Sequence, residues 1–370
     1  MKVTDELRQV LALSLATNVG ALTFKKLMEA FGDIGAIFKG SAKDFARVAR
    51  LPKTFYREIK EPDLIKKADA EIAKAQAYQV NLLSILDPLY PALLEVIYDP
   101  PILLYVKGAL PDEATLAVAI VGSRHASLYG VRMARKIAAG LAQAGVAVVS
   151  GMALGIDSAA HEGALCQDGQ TVAVLGGGLG RIYPPQNKKM AERIAHKGAV
   201  ISEYPIEMSP RPEYFPVRNR IISGLSRAVL VVEAGEKSGA LITVDAALEQ
   251  GRDVFAVPGN ADSERSNGTH ALIKQGAKLV TEASDILNEL EMNFENQTQT
   301  PQTFLKEKRS FNLSPLEEKI FSLLECEPLL IDTLIEQSGL AVQQTISILS
   351  MLEMKGAVKE LPGKYFARNH

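Results

Sequence analysis

Arg218, Asn219 and Arg220 stand just after Pro216 and lead into the apolar pattern Ile221, Ile222, Leu225. A helix starting at this point offers unpaired N–H groups and the positive end of its dipole, and a proline suits its first turn. Guanidinium groups placed there suit a phosphate, a nucleic-acid backbone or a buried carboxylate partner. One helix start does not choose among these three, so the choice falls to the loops around it.

Those loops are set by six short apolar runs, at residues 116–121, 146–150, 171–175, 199–202, 228–233 and 253–257. Such runs are expected of parallel strands buried on both faces. The helical patterns 130–144, 156–166, 187–196, 219–226 and 243–250 lie between most of them. This alternation predicts an α/β fold with an open, doubly wound, mostly parallel sheet, which binds ligands beyond the carboxyl ends of its strands. Gly122-Ser123-Arg124 follows the first run, and the glycine-bearing stretch from Gly151 to Asp157 follows the second. Gly176-Gly177-Gly178-Leu179-Gly180-Arg181 follows the third and leads to Tyr183-Pro184 and Lys188-Lys189, while 233–240 closes the run ending at Glu233. Four glycine-bearing loops on one rim, with Arg124 and Lys188 among them, form an anion-binding surface.

Several chemistries are disfavoured. No G-x-G-x-x-G opens the first unit, and neither a P-loop nor a G-x-S-x-G elbow occurs. His161 and Glu162 lack the second histidine of a zinc site, so Asp157 reads as a helix cap and His161 as a packed or hydrogen-bonded core residue. Cys166 and Cys326 match no metal spacing and suit a reduced compartment. We expect no catalytic residue, no metal and no cofactor. With no signal-peptide n-region and no apolar run near the ~20 residues that cross a bilayer, a cytoplasmic protein without a membrane partner is expected.

Net charge is −2, but residues 181–227 hold nine Lys/Arg against four Glu, whereas the stretch from Ser314 onward holds five Lys/Arg against eight acids. Nucleic-acid binding is therefore expected in the middle of the chain. Residues 1–62 read as short helices; Asn18-Val19-Gly20 and Leu51-Pro52-Lys53 sit between helices as in a worn helix-hairpin-helix pair, and the whole as a packing module. Residues 63–290 form the α/β domain, which opens with a helix at 65–79 and the runs 82–86 and 102–107. The polar, amide-rich stretch 291–313 reads as a linker, and 314–370 as three helices and a hairpin resembling a winged helix-turn-helix.

With these residues assembled, the sequence resembles the DNA processing protein A (DprA/Smf) family of bacteria. The matching pieces run in order: Ile120-Val121-Gly122-Ser123-Arg124, the stretch 150–157, Tyr183-Pro184-Pro185-Gln186-Asn187, 215–226, Val232-Glu233-Ala234 with 238–243, and 251–259. The resemblance implies an extended Rossmann-like domain, a sterile-alpha-motif-like N-terminal domain and a C-terminal winged helix. It also implies a protein that binds single-stranded DNA, dimerises, protects incoming strands in natural transformation and helps load the RecA recombinase. By motif position it carries the DNA pocket onto Gly122, Ser123, Arg124, Arg218 and Lys188. One departure is that Gly178-Leu179-Gly180-Arg181 stands where the family has Gly-Leu-Asp before Tyr-Pro.

Single-strand binders pair a basic groove with stacking rings. Tryptophan is absent, so stacking falls to Phe215 and Tyr183, although each ring taken singly reads as core. Backbone N–H groups of the Gly122 and Gly177 loops, together with Asn219, complete the expected site. Arg218 is expected to face DNA and Arg220 to be a structural tie to Glu203 or Glu233. The winged helix offers Gln343, Gln344, Ser347 and Ser350 but no arginine on its third helix, so a protein-contact or packing role is expected of it. The rival reading is a Rossmann-like nucleotide-processing enzyme of the phosphoribohydrolase type, using Glu233, Asp245 and Glu249. Its Pro-Gly-Gly-x-Gly-Thr-x-x-Glu signature is absent.

Overall fold

The computed structural model describes residues 3–16, 19–48, 51, 55–290, 313–324, 329–355, 357–361 and 363–368. They belong to two compact units, Met1–Met292 and Asn293–His370.

The first unit begins with α1 (Asp5–Leu15), α2 (Ala21–Phe31), α3 (Ile34–Lys39), α4 (Ala42–Ala46), α5 (Phe55–Lys60) and α6 (Pro62–Ala77). Asn18, Pro52 and Lys53, on which the hairpin reading rests, lie outside the described residues. Leu11 of α1 and Ala68 and Ala75 of α6 share one apolar cluster with Leu82, Leu103 and Tyr105 of the sheet. The helical module is thereby seated on the sheet through its own core residues.

Nine strands follow: β1 (Asn81–Ser84), β2 (Leu103–Gly108), β3 (Ala117–Val121), β4 (Ala147–Ser150), β5 (Thr171–Val174), β6 (Ala199–Ser202), β7 (Ala228–Val231), β8 (Asp253–Ala256) and β9 (Lys278–Leu279). Their order is β1-β2-β6-β5-β4-β3-β7-β8-β9. Pairing is parallel from β6 through β9 and antiparallel where β2 meets β6 and β1. The strands β3 to β7 are apolar throughout apart from Ser150, Thr171 and Ser202, and all their residues are buried, as two covered faces require.

The connecting helices are α7 (Ala92–Glu95), α8 (Leu128–Gln143), α9 (Ile156–Cys166), α10 (Lys188–Lys197), α11 (Tyr214–Gly224), α12 (Ala240–Glu249), α13 (Asn267–Lys274) and α14 (Ala283–Glu289). α8, α9 and α14 pack over Val118, Val148 and Leu230. On the opposite face α7, α11, α12 and α13 pack over Ala119, Val149 and Val231. The doubly wound sheet expected from the alternating pattern is therefore the observed architecture. From β3 the chain winds outward through β4, β5 and β6, then returns to lay β7 on the other side of β3. That reversal opens a crevice beyond the carboxyl ends of β3 and β7, the switch point at which such sheets bind ligands.

Two features differ from the sequence reading. α11 begins at Tyr214 rather than at 219, so Pro216 is its third residue and Arg218 its fifth. The elements β9 and α14 were not anticipated, because β9 has only two residues and carries no periodic signal.

The second unit contains α15 (Pro315–Leu323), β10 (Leu329–Leu330), α16 (Ile331–Ser338), α17 (Val342–Met354), β11 (Val358–Leu361) and β12 (Tyr365–Arg368). The sheet order β10-β12-β11 and a core of Ile320, Leu334, Leu349, Leu352 and Phe366 make it a winged helix. Ser314 starts α15 in a reciprocal cap with Glu317, whose carboxylate also accepts from Lys355 at 2.7 Å. The expected linker, apart from residue 313, lies outside the described residues.

Candidate nucleic-acid interface

The loop after β3 is shaped by contact rather than by ligand geometry. A Cβ on Gly122 would stand 2.7 Å from Ile156 Cγ1 and 2.9 Å from the Glu233 carbonyl oxygen, so only glycine lets β3, α9 and the β7 loop meet. Ser123 N–H donates to Glu233 O at 2.7 Å, and Ile156 N–H donates to Ser123 O at 3.2 Å. The Glu233 carboxylate, itself 4% exposed, accepts from the N–H and hydroxyl of Ser127, the residue that caps α8. These bonds hold the backbone on either side of Arg124 and leave its side chain exposed.

The Arg124 guanidinium carbon lies 5.1 Å from the centre of the Phe215 ring, within cation–π reach. Phe215 in turn lies 5.8 Å from Tyr183, with the rings tilted by 40°. Gly176 makes room for Phe215, since a Cβ there would come within 2.8 Å of its ring. The loops after β3 and after β5 and the first turn of α11 thus deliver one cation and two rings to a continuous ledge. Tyr183 is 49% exposed and Phe215 half-buried, so the ledge presents ring surface to solvent rather than closing a core.

The ledge borders a cleft of about 800 Å³ at the β3–β7 switch point. Gly122, Ser123, Arg124, Phe215, Arg218 and Asn219 all line it, so the structure brings together six of the eight residues expected from the sequence. Lys237 and Arg265 line it from the opposite side, along with the start of α12. Neither had been assigned a role. Lys237 was legible as part of a strand-end loop, whereas Arg265 belongs to a turn after β8 that carried no signal of its own.

Gly177 and Lys188 do not line the cleft. Gly177 is buried against Pro210, whose Cα would lie 3.0 Å from a Cβ on it. Gly178 and Gly180 donate their N–H groups to Met208 O and Ile206 O at 2.9 and 2.7 Å. The triple-glycine turn therefore docks onto the segment 205–210, and the N–H groups of Gly178 and Gly180 are already committed. Lys188 is exposed at the start of α10, held there by the buried Asn187, whose amide donates to Met152 O and Ser158 Oγ, each at 2.8 Å.

The two arginines of α11 separate. Arg220 makes a fork with Glu203, at 2.6 and 3.0 Å, and a third bond to Asp99 at 3.1 Å. Burial alone would lower its pKa, but Glu203 and Asp99 raise it above the ordinary value. Of the two acids expected as its partner, Glu203 is the one observed, since Glu233 is taken by Ser127. Arg218 differs from expectation. It is 4% exposed, and its Nη1 donates to Gly151 O at 2.8 Å and to Val174 O. Because α11 starts at Tyr214, Arg218 shares a face with Ile221 and Ile222 and is drawn under the cleft floor. Burial lowers its pKa to about 10, partly offset by the Asp157 carboxylate, so it stays charged at neutral pH.

Asp157 accepts from Ala153 N–H at 3.3 Å; burial raises its pKa, while Arg218 opposes that rise. His161 is fully buried, and burial, followed by the field of Arg218, lowers its pKa to about 3. Thr171 donates its hydroxyl to Val148 O at 2.7 Å, so it accepts from His161 Nδ1–H, also at 2.7 Å. A neutral imidazole fixed in that tautomer is a core residue, as the sequence suggested. The carboxylates of the rival enzymatic reading do not converge: Glu233 is a buried cap, and Asp245 and Glu249 are exposed on α12 outside the cleft.

Comparison with known proteins gives consistent relationships. A family model described as DNA recombination-mediator protein A matches residues 81–291, and one described as DprA winged helix domain matches 306–364. The DNA processing protein DprA of Streptococcus pneumoniae is 46% identical over 223 residues, which cover 60% of this chain and 78% of that protein. The X-ray structure of DNA processing protein A from Streptococcus pneumoniae superposes with a TM-score of 0.64 at 38% identity, covering 80% of this chain and all of that one. A structure of DNA processing protein A from Helicobacter pylori, described for its single-stranded DNA binding mode, superposes with a TM-score of 0.52 at 31% identity, covering 58% and 96%.

Proposed function

We propose, for a chain that belongs to the DNA recombination-mediator protein A (DprA/Smf) family, that the cleft beyond β3 and β7 is a sequence-independent binding groove for single-stranded DNA. The observation that carries this reading is the ledge formed by Arg124, Phe215 and Tyr183, which offers a cation and two rings to a strand with splayed bases. Arg124, Lys237 and Arg265 supply charge to phosphates, Phe215 and Tyr183 supply stacking, and Gly122, Ser123 and Asn219 set the wall. Arg218 holds the floor from beneath, and Lys188 extends the basic rim outside the cleft. Nothing in this arrangement reads a base edge, so binding rests on backbone and stacking. The Helicobacter pylori relative is described as a single-strand binder, which supports carrying that ligand to this chain.

In this reading the protein is not an enzyme. It acts in the cytoplasm as a homodimer that shields incoming single strands during natural transformation and helps load the RecA recombinase onto them. Gel shift of a labelled oligonucleotide across a salt series tests the groove. Arg124→Ala with Lys237→Ala should weaken single-strand binding at least ten-fold and reduce the salt slope by about 1.4, from ~0.7 per phosphate contact. An unchanged affinity and slope in the folded double variant would sink the assignment.

A further inference from the structure

Glu71 lies on α6, the last helix of the N-terminal module, yet its carboxylate serves a distant segment of the sheet domain. The residue is 5% exposed, and its Oε1 accepts the N–H of Ile206 at 2.6 Å. α6 does not need this bond for its own seat. Leu64, Ala68, Ile72 and Ala75 are buried in the apolar cluster that joins the helix to the sheet. Lys74, almost one turn further on, reaches the same segment and pairs with Glu207 at 2.9 Å. A buried N–H without an acceptor is costly, and Glu71 is the group that supplies one to the fully buried Ile206.

What Glu71 holds leads to both rings of the ledge. Ile206 O accepts from Gly180 N–H at 2.7 Å and Met208 O from Gly178 N–H at 2.9 Å, so the segment after β6 fixes the glycine turn that runs on to Tyr183. The contact has no slack, since a Cβ on Gly178 would clash with the carbonyl oxygens of Pro205 and Ile206. Ser202, at the end of β6, ties the same turn by donating its hydroxyl to Gly177 O at 2.8 Å. The segment then continues to Tyr214, whose ring stacks on Tyr204 at 4.4 Å, and the next residue is Phe215. We propose that Glu71 is a positioning residue for the groove, setting through Ile206 the spacing of Tyr183 and Phe215. The inference rests on the ledge being the single-strand contact. It gives the helical module a part in binding although none of its described residues lines the cleft. Charge alone would act with the opposite sign, because removing an acid favours a polyanion.

The full-length chain has no tryptophan, so Tyr183→Trp places a single indole on the ledge, read by acrylamide quenching without DNA. Glu71→Leu removes the acceptor. Glu71→Asp keeps the charge but withdraws the acceptor by one methylene, and Glu71→Gln keeps the reach without the charge. Glu71→Leu and Glu71→Asp should raise quenching of the indole. With Tyr183 retained, both should weaken oligonucleotide binding about ten-fold, the equivalent of one lost stacking contact. Glu71→Gln should match the parent protein in both readouts, and it decides with Glu71→Asp alone if Glu71→Leu does not fold. Leu64→Ala loosens the same helix about 10 Å away; it should lower the urea midpoint and leave quenching and affinity unchanged. Parent-like quenching in Glu71→Asp overturns the proposal, as does a Leu64→Ala chain that shifts both readouts. Tighter binding by Glu71→Leu and Glu71→Gln alike also overturns it, being the mark of charge alone. An indole shift with unchanged affinity overturns it when Arg124→Ala with Lys237→Ala has lost binding. When that double variant binds normally too, the groove reading itself has failed and the placement of the rings by Glu71 stands.

Discussion

The Arg124 guanidinium stands 5.1 Å from the centre of the Phe215 ring, although one side chain follows strand β3 and the other opens helix α11. The contact exists because β3 and the start of α11 arrive at the same rim of the sheet, and because Gly176 leaves space for the ring. It couples the two things a single-strand groove requires, a fixed positive charge and a face on which a base can lie.

Phe215→Ala should therefore weaken single-strand binding by about 1–3 kcal/mol, the range for one lost stacking partner. Phe215→Leu keeps the apolar contact at Gly176 but removes the ring, so it should fold normally and still lose most of that affinity. Fluorescence anisotropy with a labelled oligonucleotide separates the two. Full affinity in Phe215→Leu would show that the ring only packs.

Arg218→Met should act on stability. It leaves the carbonyls of Gly151 and Val174 without their donor and Asp157 without its neighbouring charge. The cost of breaking a buried charge in this way is about 3–5 kcal/mol. Urea unfolding at neutral pH measures it, with Arg124→Ala as the comparison expected to unfold like the parent protein. A stable Arg218→Met chain that has lost DNA binding would return this arginine to the groove.

Arg220 and Glu203 should behave as one unit. Arg220→Ala, Glu203→Ala and the double variant form a cycle whose coupling should fall between about 0.5 and 3 kcal/mol. Asp99 remains as a second partner in the Glu203→Ala chain, so that single variant should be milder than Arg220→Ala. Additive effects in chemical denaturation would contradict the fork seen here.

His161 gives stability a pH dependence of defined sign. Its folded pKa is lowered to about 3 by burial, whereas an unfolded histidine titrates near 6.5, so the unfolded chain binds the extra proton. Its neutral form is accommodated in full above pH ~6.5, and stability is lost as pH falls from there toward 3. By pH 5 the loss is about 2 kcal/mol. His161→Gln should remove this component, so its unfolding free energy should change less between pH 7 and pH 5. Parallel curves for the two chains would refute it.

Much of this protein was legible in the sequence. Continuous apolar runs alternating with helical patterns dictate strands covered on both faces, and such strands place their loops on one rim. Gly122-Ser123-Arg124, Phe215 and Asn219 could be picked out because strand-end loops and a helix start are local features. The paired use of Phe215 and Tyr183 was suggested by the lack of tryptophan and by the cations nearby. Arg218 is the exception, since its place near a helix start pointed it at DNA. Its spacing three and four residues before Ile221 and Ile222 points inward only when the helix starts at Tyr214, and the sequence pattern had placed that start at 219.

The tertiary structure decided what locality leaves open. Which loops become neighbours depends on strand order, and only the return of β7 to the side of β3 brings Lys237 and Arg265 opposite Arg124. The same packing withdrew Gly177, because the segment 205–210 folds over the triple-glycine turn and takes the Gly178 and Gly180 N–H groups. A glycine run carries the same residues whether its amides face a ligand or another segment of chain. Hydrogen bonds are assigned by what lies across from them, and that partner is far away in the sequence.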